Sequence, residues 1–328
     1  QDGSELNFIH VLFEWDEVEN AAGYDFQLSP SEDFSSPLVN TTITELYYIE
    51  KNVIEWESNY YWRVKSEGDQ TGWMGPSGFS TGKSSVIFQG DDKPIEILTY
   101  NSQLASNGIT IFGSYYNNYS AAIDMNGNEV WNSGGVNTFV FFTADEDNNL
   151  FGGKVLPEFN SSLIGCEFSW EGEFEWSEPI NEEMLQDEPF IQHEIIRLPS
   201  GNYMGFVPVI EKHPIPTYTN FAERDSAFSW EEDFEDYIEL EINYEWKGEK
   251  IVEWDKDTGD IVWEWSAFNY FSLNDFDYLA GHWETAWNNH LPFDWIHFNA
   301  VVYSESENTL YVSSRHLDRI TKIDYFTK

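Results

Sequence analysis

The sequence predicts an all-β protein, and three observations predict it. Short runs alternate polar and apolar residues with turn-forming residues between them, the period of a half-buried strand rather than of a helix. Aromatic residues make up 18% of the 328 residues, with 15 Trp, 18 Tyr and 25 Phe, a composition suited to pleated, partly buried surfaces. A strand, glycine turn and strand ending in Trp occurs more than once.

In the first segment Val11-Leu-Phe-Glu-Trp15 reads as a strand, Gly23-Tyr-Asp-Phe-Gln-Leu28 alternates cleanly, and Asn59-Tyr-Tyr-Trp-Arg-Val-Lys65 alternates again. Gly72-Trp-Met-Gly-Pro76 supplies a turn before the last strand. Several short strands within about 90 residues suggest a sandwich. Trp15, Tyr24-x-Phe-x-Leu, Tyr61-Trp-Arg-Val and Gly-Trp-Met-Gly-Pro-Ser together resemble a fibronectin type III module, expected over residues 1–90. The alternative is a β-hairpin extension of the second domain. Either way the segment carries no catalytic constellation and reads as a spacing or docking element.

Gly90-Asp-Asp-Lys-Pro94 is polar and ends in proline, which marks a linker and opens a second domain over 91–328. In it Ala122-Ile-Asp-Met-Asn-Gly127-Asn-Glu-Val-Trp131 forms the hairpin unit. Val252-Glu-Trp-Asp-Lys-Asp-Thr-Gly259-Asp-Ile-Val-Trp263 repeats it, and Thr321-Lys-Ile-Asp324 begins it again. Hairpin-linked strands recurring at this spacing suggest β-propeller blades, incomplete at three or four. Two chance Asp/Asn-Gly turns are the competing explanation.

Charge excludes whole classes of function. Against 59 Asp and Glu stand only 16 Lys and Arg, a formal net charge of −43. Such a chain cannot neutralise a row of phosphates, so no nucleic-acid partner is expected. It is not drawn to an anionic membrane surface, and no apolar run is long enough for membrane insertion. A lone cysteine, Cys166, excludes an internal disulfide framework and a cysteine-rich zinc site. The start at Gln1 suggests a mature chain whose leader has been removed, and the acidic, aromatic composition fits an exported or salt-adapted protein. A secreted, periplasmic or cell-surface location is therefore expected. Sequons at Asn40, Asn118 and Asn160 matter only in a eukaryotic source.

Seven histidines and few arginines make their placement informative. In Asp294-Trp-Ile-His297-Phe-Asn299-Ala-Val the strand period projects His297 and Asn299 together and sends Ile296 and Phe298 into the core. Tyr311-Val-Ser-Ser-Arg315-His316 comes after a turn, so Arg315 can lie beside that pair on a neighbouring strand. Imidazole, carboxamide and guanidinium converging on one point form a receptor for an oxyanion. A buried His/Asn pair stitching two strands, with Arg315 balancing carboxylates, is an equal alternative. Gln192-His193-Glu-Ile-Ile-Arg-Leu-Pro-Ser-Gly-Asn places His193 at the start of a strand feeding a tight hairpin turn.

These motifs, Gln-His-Glu-Ile…Leu-Pro-Ser-Gly-Asn, Val-Glu-Trp-Asp…Thr-Gly-Asp-Ile-Val-Trp, Asp-Trp-Ile-His-Phe-Asn and Val-Ser-Ser-Arg-His, resemble the arylsulfate sulfotransferases over roughly residues 95–328. The resemblance implies a six-bladed propeller, usually exported and often preceded by a small β-sandwich. It implies transfer of a sulfuryl group from an aryl sulfate donor to a phenolic acceptor through a sulfohistidine, without a nucleotide sulfate donor. By the same resemblance His193, His297, Asn299 and Arg315 hold and polarise the sulfate. The family's nucleophilic histidine is expected in a blade beyond Lys328, with no match in this sequence.

Other features have plainer readings. Residues 223–241 are an acidic stretch with interspersed aromatics, expected as a solvated insertion or edge strand rather than a cation site. His213, His282 and His290 match no motif, and His316 is not assigned as the nucleophile. No metal site and no cofactor is assigned. A non-catalytic extracellular binding protein on the same scaffold is the second functional reading, with homo-oligomeric assembly through open strand edges as its variant.

Overall fold

A computed structural model describes residues 2–68, 72–85, 97–114, 118–134, 139–156, 162–180, 194–216, 243–276 and 282–328. The predicted linker at 90–94, His193, Asn160 and the acidic stretch 223–241 lie outside the described residues. The chain divides into two compact units. One comprises residues 1–141 and 169–173, the other residues 142–168 and 174–328.

In the first unit the strands are β1 (Ser4–Leu6), β2 (Val11–Glu14), β3 (Tyr24–Ser29), β4 (Val39–Ile43), β5 (Tyr47–Glu50), β6 (Asn59–Ser66) and β7 (Met74–Thr81). They form a five-stranded sheet ordered β1-β7-β6-β3-β4 and a two-stranded sheet β2-β5. Alternation decides which side chains turn inward. Val11 and Phe13 from β2 meet Phe26 and Leu28 from β3, Tyr60 from β6 and Phe79 from β7 in one buried core. Phe13 packs its ring 5.1 Å from Phe26, so both sheets feed the same aromatic interior.

The turn expected at Gly72–Pro76 is displaced. Strand β7 already begins at Met74, and the ladder with β6 slips between Trp62 and Val64. Gly75, at φ 103°, takes a conformation closed to side-chain-bearing residues, so the chain bends inside a bulge instead of leaving the sheet. Three further strands complete this unit: β8 (Thr110–Ser114), β9 (Tyr119–Ile123) and β10 (Glu129–Asn132), ordered β10-β9-β8. Backbone bonds from Ile9 N–H to Val130 O and from Asn132 N–H to Asn7 O, both 3.0 Å, tie β10 to the N-terminal residues.

The second unit holds β11 (Phe139–Ala144), through which the division runs, then β12 (Leu150–Leu156), β13 (Ser162–Phe168) and β14 (Phe174–Ser177) in a four-stranded sheet. A second sheet orders β15 (Ile195–Arg197), β16 (Tyr203–Pro214), β17 (Asn243–Trp254) and β18 (Ile261–Ser266). Two helices come next, α1 (Ala267–Tyr270) and α2 (His282–Asn289), then the short strand β19 (Phe293–Asp294). The last sheet is β20 (Phe298–Ser304), β21 (Thr309–Ser314) and β22 (Arg319–Asp324). The all-β prediction therefore holds, and four strands is the size of a propeller blade. Among the described residues the sheets close into no barrel or propeller.

The repeated hairpins share one device. Asp124 Oδ1 accepts from the backbone N–H of Asn126 and Asn128 at 2.8 and 2.9 Å. Asp255 Oδ1 accepts from Asp257 and Thr258 at 3.0 and 2.9 Å, and Asp324 Oδ1 from Phe326 and Thr327 at 3.0 and 2.7 Å. A short carboxylate thus satisfies turn amides that have no strand partner. Asp145 does the same between β11 and β12, so the device marks hairpins generally and not only the repeat.

The core beneath the site is aromatic. Trp246, Trp295, Phe206, Phe293 and Phe298 are each no more than 1% exposed and belong to one cluster with Trp265 and Trp283. Among the described residues no helix is long and apolar enough to cross a membrane.

Candidate active site

The backbone around residues 293–299 is held from two sides. Strand β19 runs parallel to β17, pairing Phe293 with Trp246 and Asp294 with Lys247, and Trp295 N–H donates to Lys247 O at 3.0 Å. From the other side the 3-10 turn Arg315–Leu317, directly after β21, brings two backbone donors. Arg315 N–H bonds His297 O at 2.9 Å and His316 N–H bonds Ile296 O at 3.1 Å. Trp295, Ile296 and Phe298 are fully buried, which fixes the segment in depth.

The expected alternation is kept in burial and broken in backbone. Ile296 and Phe298 turn into the core as predicted. His297, however, adopts φ 48° just before β20 begins, and the β20–β21 ladder shifts between Phe298 and Ala300, with Asn299 as the extra residue. A left-handed residue next to a bulge re-aims both side chains, so a simple two-residue period does not set their directions.

His297 turns its Nδ1 onto Asp294 Oδ2 at 2.7 Å. His316 places its Nδ1 2.7 Å from the backbone carbonyl of the same Asp294. Carboxylate and carbonyl oxygens accept, so both rings carry a proton on Nδ1. The His297 and His316 rings lie 4.9 Å apart, and His282, at the start of α2, stacks on His316 at 3.6 Å.

Electrostatics follows from this packing. Burial alone would raise the Asp294 carboxyl, but the His297 hydrogen bond and charge, with Lys247 and His316 behind them, outweigh it and hold the carboxyl below its usual range. Burial pushes the His316 imidazole down; the Asp294 carbonyl and charge oppose this, and the His282 and His297 charges add to it. Asp294 is therefore an ionised acceptor beside imidazoles.

Of the residues the sequence points to, His297 is part-buried within this cluster. Asn299 is part-buried at the bulge, and its amide makes no side-chain hydrogen bond among the described residues. Arg315 is fixed beside His297 through its backbone; its side chain is exposed and makes no hydrogen bond or ion pair among the described residues. His193 is not described, but Glu194 next to it accepts the Val301 N–H of β20 at 2.7 Å. The Leu198–Asn202 hairpin forms as expected, with Gly201 at φ 88° and Leu198 N–H bonded to Asn202 O at 2.8 Å.

Two members of the cluster were not singled out from the sequence. Asp294 stands three residues before His297, and His316 directly after Arg315. The signals available were the Asp-x-x-His spacing and the Arg-His dipeptide, each common in isolation. His213, by contrast, bonds Glu211 at 3.0 Å and packs 5.0 Å from Phe268, away from this cluster in the sequence.

The match to known families falls on this same stretch. Residues 220–328 match the arylsulfotransferase (ASST) family. All of the clustered residues, Asp294, His297, Asn299, Arg315 and His316, lie in the stretch that matches this family, as does the complete β17–β22 region. No curated protein matches the chain. Among solved structures, an exotype rhamnogalacturonan lyase (YesX) aligns over 98% of this chain and 50% of its own at 9% identity and a TM-score of 0.24. A Bacillus licheniformis rhamnogalacturonan lyase aligns over 98% and 53% at 12% identity and a TM-score of 0.20. This chain spans about half the length of those two lyases, and likeness at such scores carries neither fold nor function.

Proposed function

We propose that this protein transfers a sulfuryl group from a phenolic sulfate ester to a phenol, without a nucleotide sulfate donor, through a histidine-bound intermediate. The observation that carries this reading is the Asp294–His297 pair at 2.7 Å, set beside Arg315 inside the arylsulfotransferase segment.

The chemistry needs charge at two stages. In the first, a histidine nitrogen attacks sulfur, the S–O bond to the donor breaks, and phenolate leaves. In the second, the acceptor phenol attacks sulfur, the S–N bond breaks, and the acceptor's proton passes to a base. Arg315 offers a planar fork for two sulfate oxygens, and Asn299 a neutral donor. His193 is assigned to the same cradle. His297, with its Nδ1 proton held by Asp294, acts at the sulfate or its leaving oxygen through Nε2. A local cation matters here because a chain of net charge −43 otherwise repels an anionic ester. Supporting an exported location is the acidic and aromatic-rich composition.

The test mixes the full-length protein, including the histidine expected beyond Lys328, with 4-nitrophenyl sulfate and phenol and monitors nitrophenolate. Release is expected, and Arg315→Ala is expected to keep the circular dichroism spectrum while weakening sulfate-ester binding at least tenfold. Equal affinity in both proteins rejects the cradle. No release from the intact protein favours a binding protein that reuses the scaffold.

A further inference from the structure

We propose that Asp294, His297 and His316 form a binding site for a divalent transition-metal ion of the zinc class. The inference goes beyond the transfer reading and does not depend on it.

The donors converge. One donor atom from each of the three residues lies within 4.8 Å of the others; Asp294 and His297 come from the segment held against β17, and His316 from the 3-10 turn after β21 that clamps it. Around a tetrahedral zinc with bonds near 2.1 Å, neighbouring donor atoms sit roughly 3.4 Å apart. Drawing the set together requires shifts of about 1 Å, within reach of side-chain rotation.

The rings are also oriented. A ligating histidine ordinarily gives its other ring N–H to a carboxylate or a backbone carbonyl, which fixes the ring and makes the remaining nitrogen more basic. His316 gives Nδ1–H to the Asp294 carbonyl, which leaves its Nε2 for the ion, while His297 Nδ1 already lies 2.7 Å from the Asp294 carboxylate, where the ion would replace the shared proton. His282, stacked on His316 at 3.6 Å, holds that ring from behind.

One acceptor is orphaned. Asp294 Oδ1 is buried from solvent and has no hydrogen-bond partner among the described residues. A buried carboxylate oxygen normally finds a donor, and a cation supplies what is missing.

Donor type selects the metal. Two imidazoles and one carboxylate suit zinc and its transition-metal neighbours, whereas calcium and magnesium take oxygen shells. Three protein ligands also leave a fourth position for water or an anionic oxygen.

The experiment is calorimetric titration of the full chain, freed of metal by chelator, with zinc chloride in a background of magnesium chloride that saturates the acidic surface. One zinc per chain is expected to bind above that background. His316→Ala and His297→Ala should each lower the affinity at least tenfold, the usual scale for losing a ligand or its support. His290→Ala should leave it unchanged. Zinc binding no tighter than magnesium, or wild-type affinity in His316→Ala, overturns the site. Should the alanine variants fail to fold, His316→Gln and His297→Gln are titrated, and the visible spectrum of the cobalt-loaded wild type decides. Intense low-coordinate bands support nitrogen ligation; a hexa-aquo-like spectrum refutes it. Nitrophenolate release is read separately, so loss of zinc binding and loss of transfer remain distinguishable.

Discussion

Glu249 offers the clearest handle on the interior of the second unit. It lies within β17 at 1% exposure, and neither carboxylate oxygen has a hydrogen-bond partner among the described residues. Burial first, and the Asp294 charge second, push its carboxyl from 4.5 up to about 8. The nearby Phe298 N–H, short of a hydrogen bond, and the Lys247 charge oppose the rise. Below pH 4.5 the group is neutral in both folded and unfolded chains, and its full contribution to stability is present. Between 4.5 and about 8 the unfolded chain gives up this proton while the folded chain keeps it. Stability from this group therefore falls as pH rises, close to tenfold in the folding equilibrium per pH unit. Over the whole window the ceiling is on the order of 5 kcal/mol, and relaxation of the interior reduces it to a few. Glu249→Gln keeps the shape and removes the titration. Urea denaturation monitored by tryptophan fluorescence at pH 5, 6, 7 and 8 should show the variant gaining on wild type at each step. Any fixed offset from burying an amide cancels in that slope. A difference that stays constant across the series, or wild type gaining instead, refutes the assignment of a buried neutral carboxyl.

Two further substitutions test the packing around the site. Trp246→Ala empties a side chain that is 1% exposed and packed 4.8 Å from Phe293, and should cost about 3–5 kcal/mol in denaturant unfolding. Trp246→Phe should cost less than half of that, because the indole N–H it removes is buried without a partner among the described residues; equal losses contradict this. Tyr203→Phe keeps the ring stacked on Trp176 at 4.0 Å but removes the 2.6 Å hydrogen bond to Glu167, leaving that buried carboxylate to Arg197. A loss of about 1–2 kcal/mol is expected by the same measurement, and no loss would show the hydroxyl bond to be without net value.

Local chemistry was legible in the sequence wherever a few neighbouring residues decide the outcome. Alternation gave β2, β3 and β6 to within a residue, and Asp-capped turns gave the hairpins at 124 and 255 and the turn at 324. The inward turn of Ile296 and Phe298 was legible for the same reason, since apolar burial needs only the strand period. The bulge at Gly75, the left-handed His297 and the slip at Asn299 were not, because pattern alone does not say where a ladder must skip a residue.

By itself, then, the sequence determined an all-β chain, its turn chemistry, a strongly acidic balance, and motifs that resemble those of the arylsulfotransferases. Only the tertiary structure decided that Asp294 anchors two imidazoles. That grouping depends on β19 lying parallel to β17 across more than forty residues of chain, and on β21 returning its 3-10 turn to residues 296 and 297. Such contacts are set by how sheets pair over distance, where burial of the Trp246 and Trp295 core outweighs any local preference.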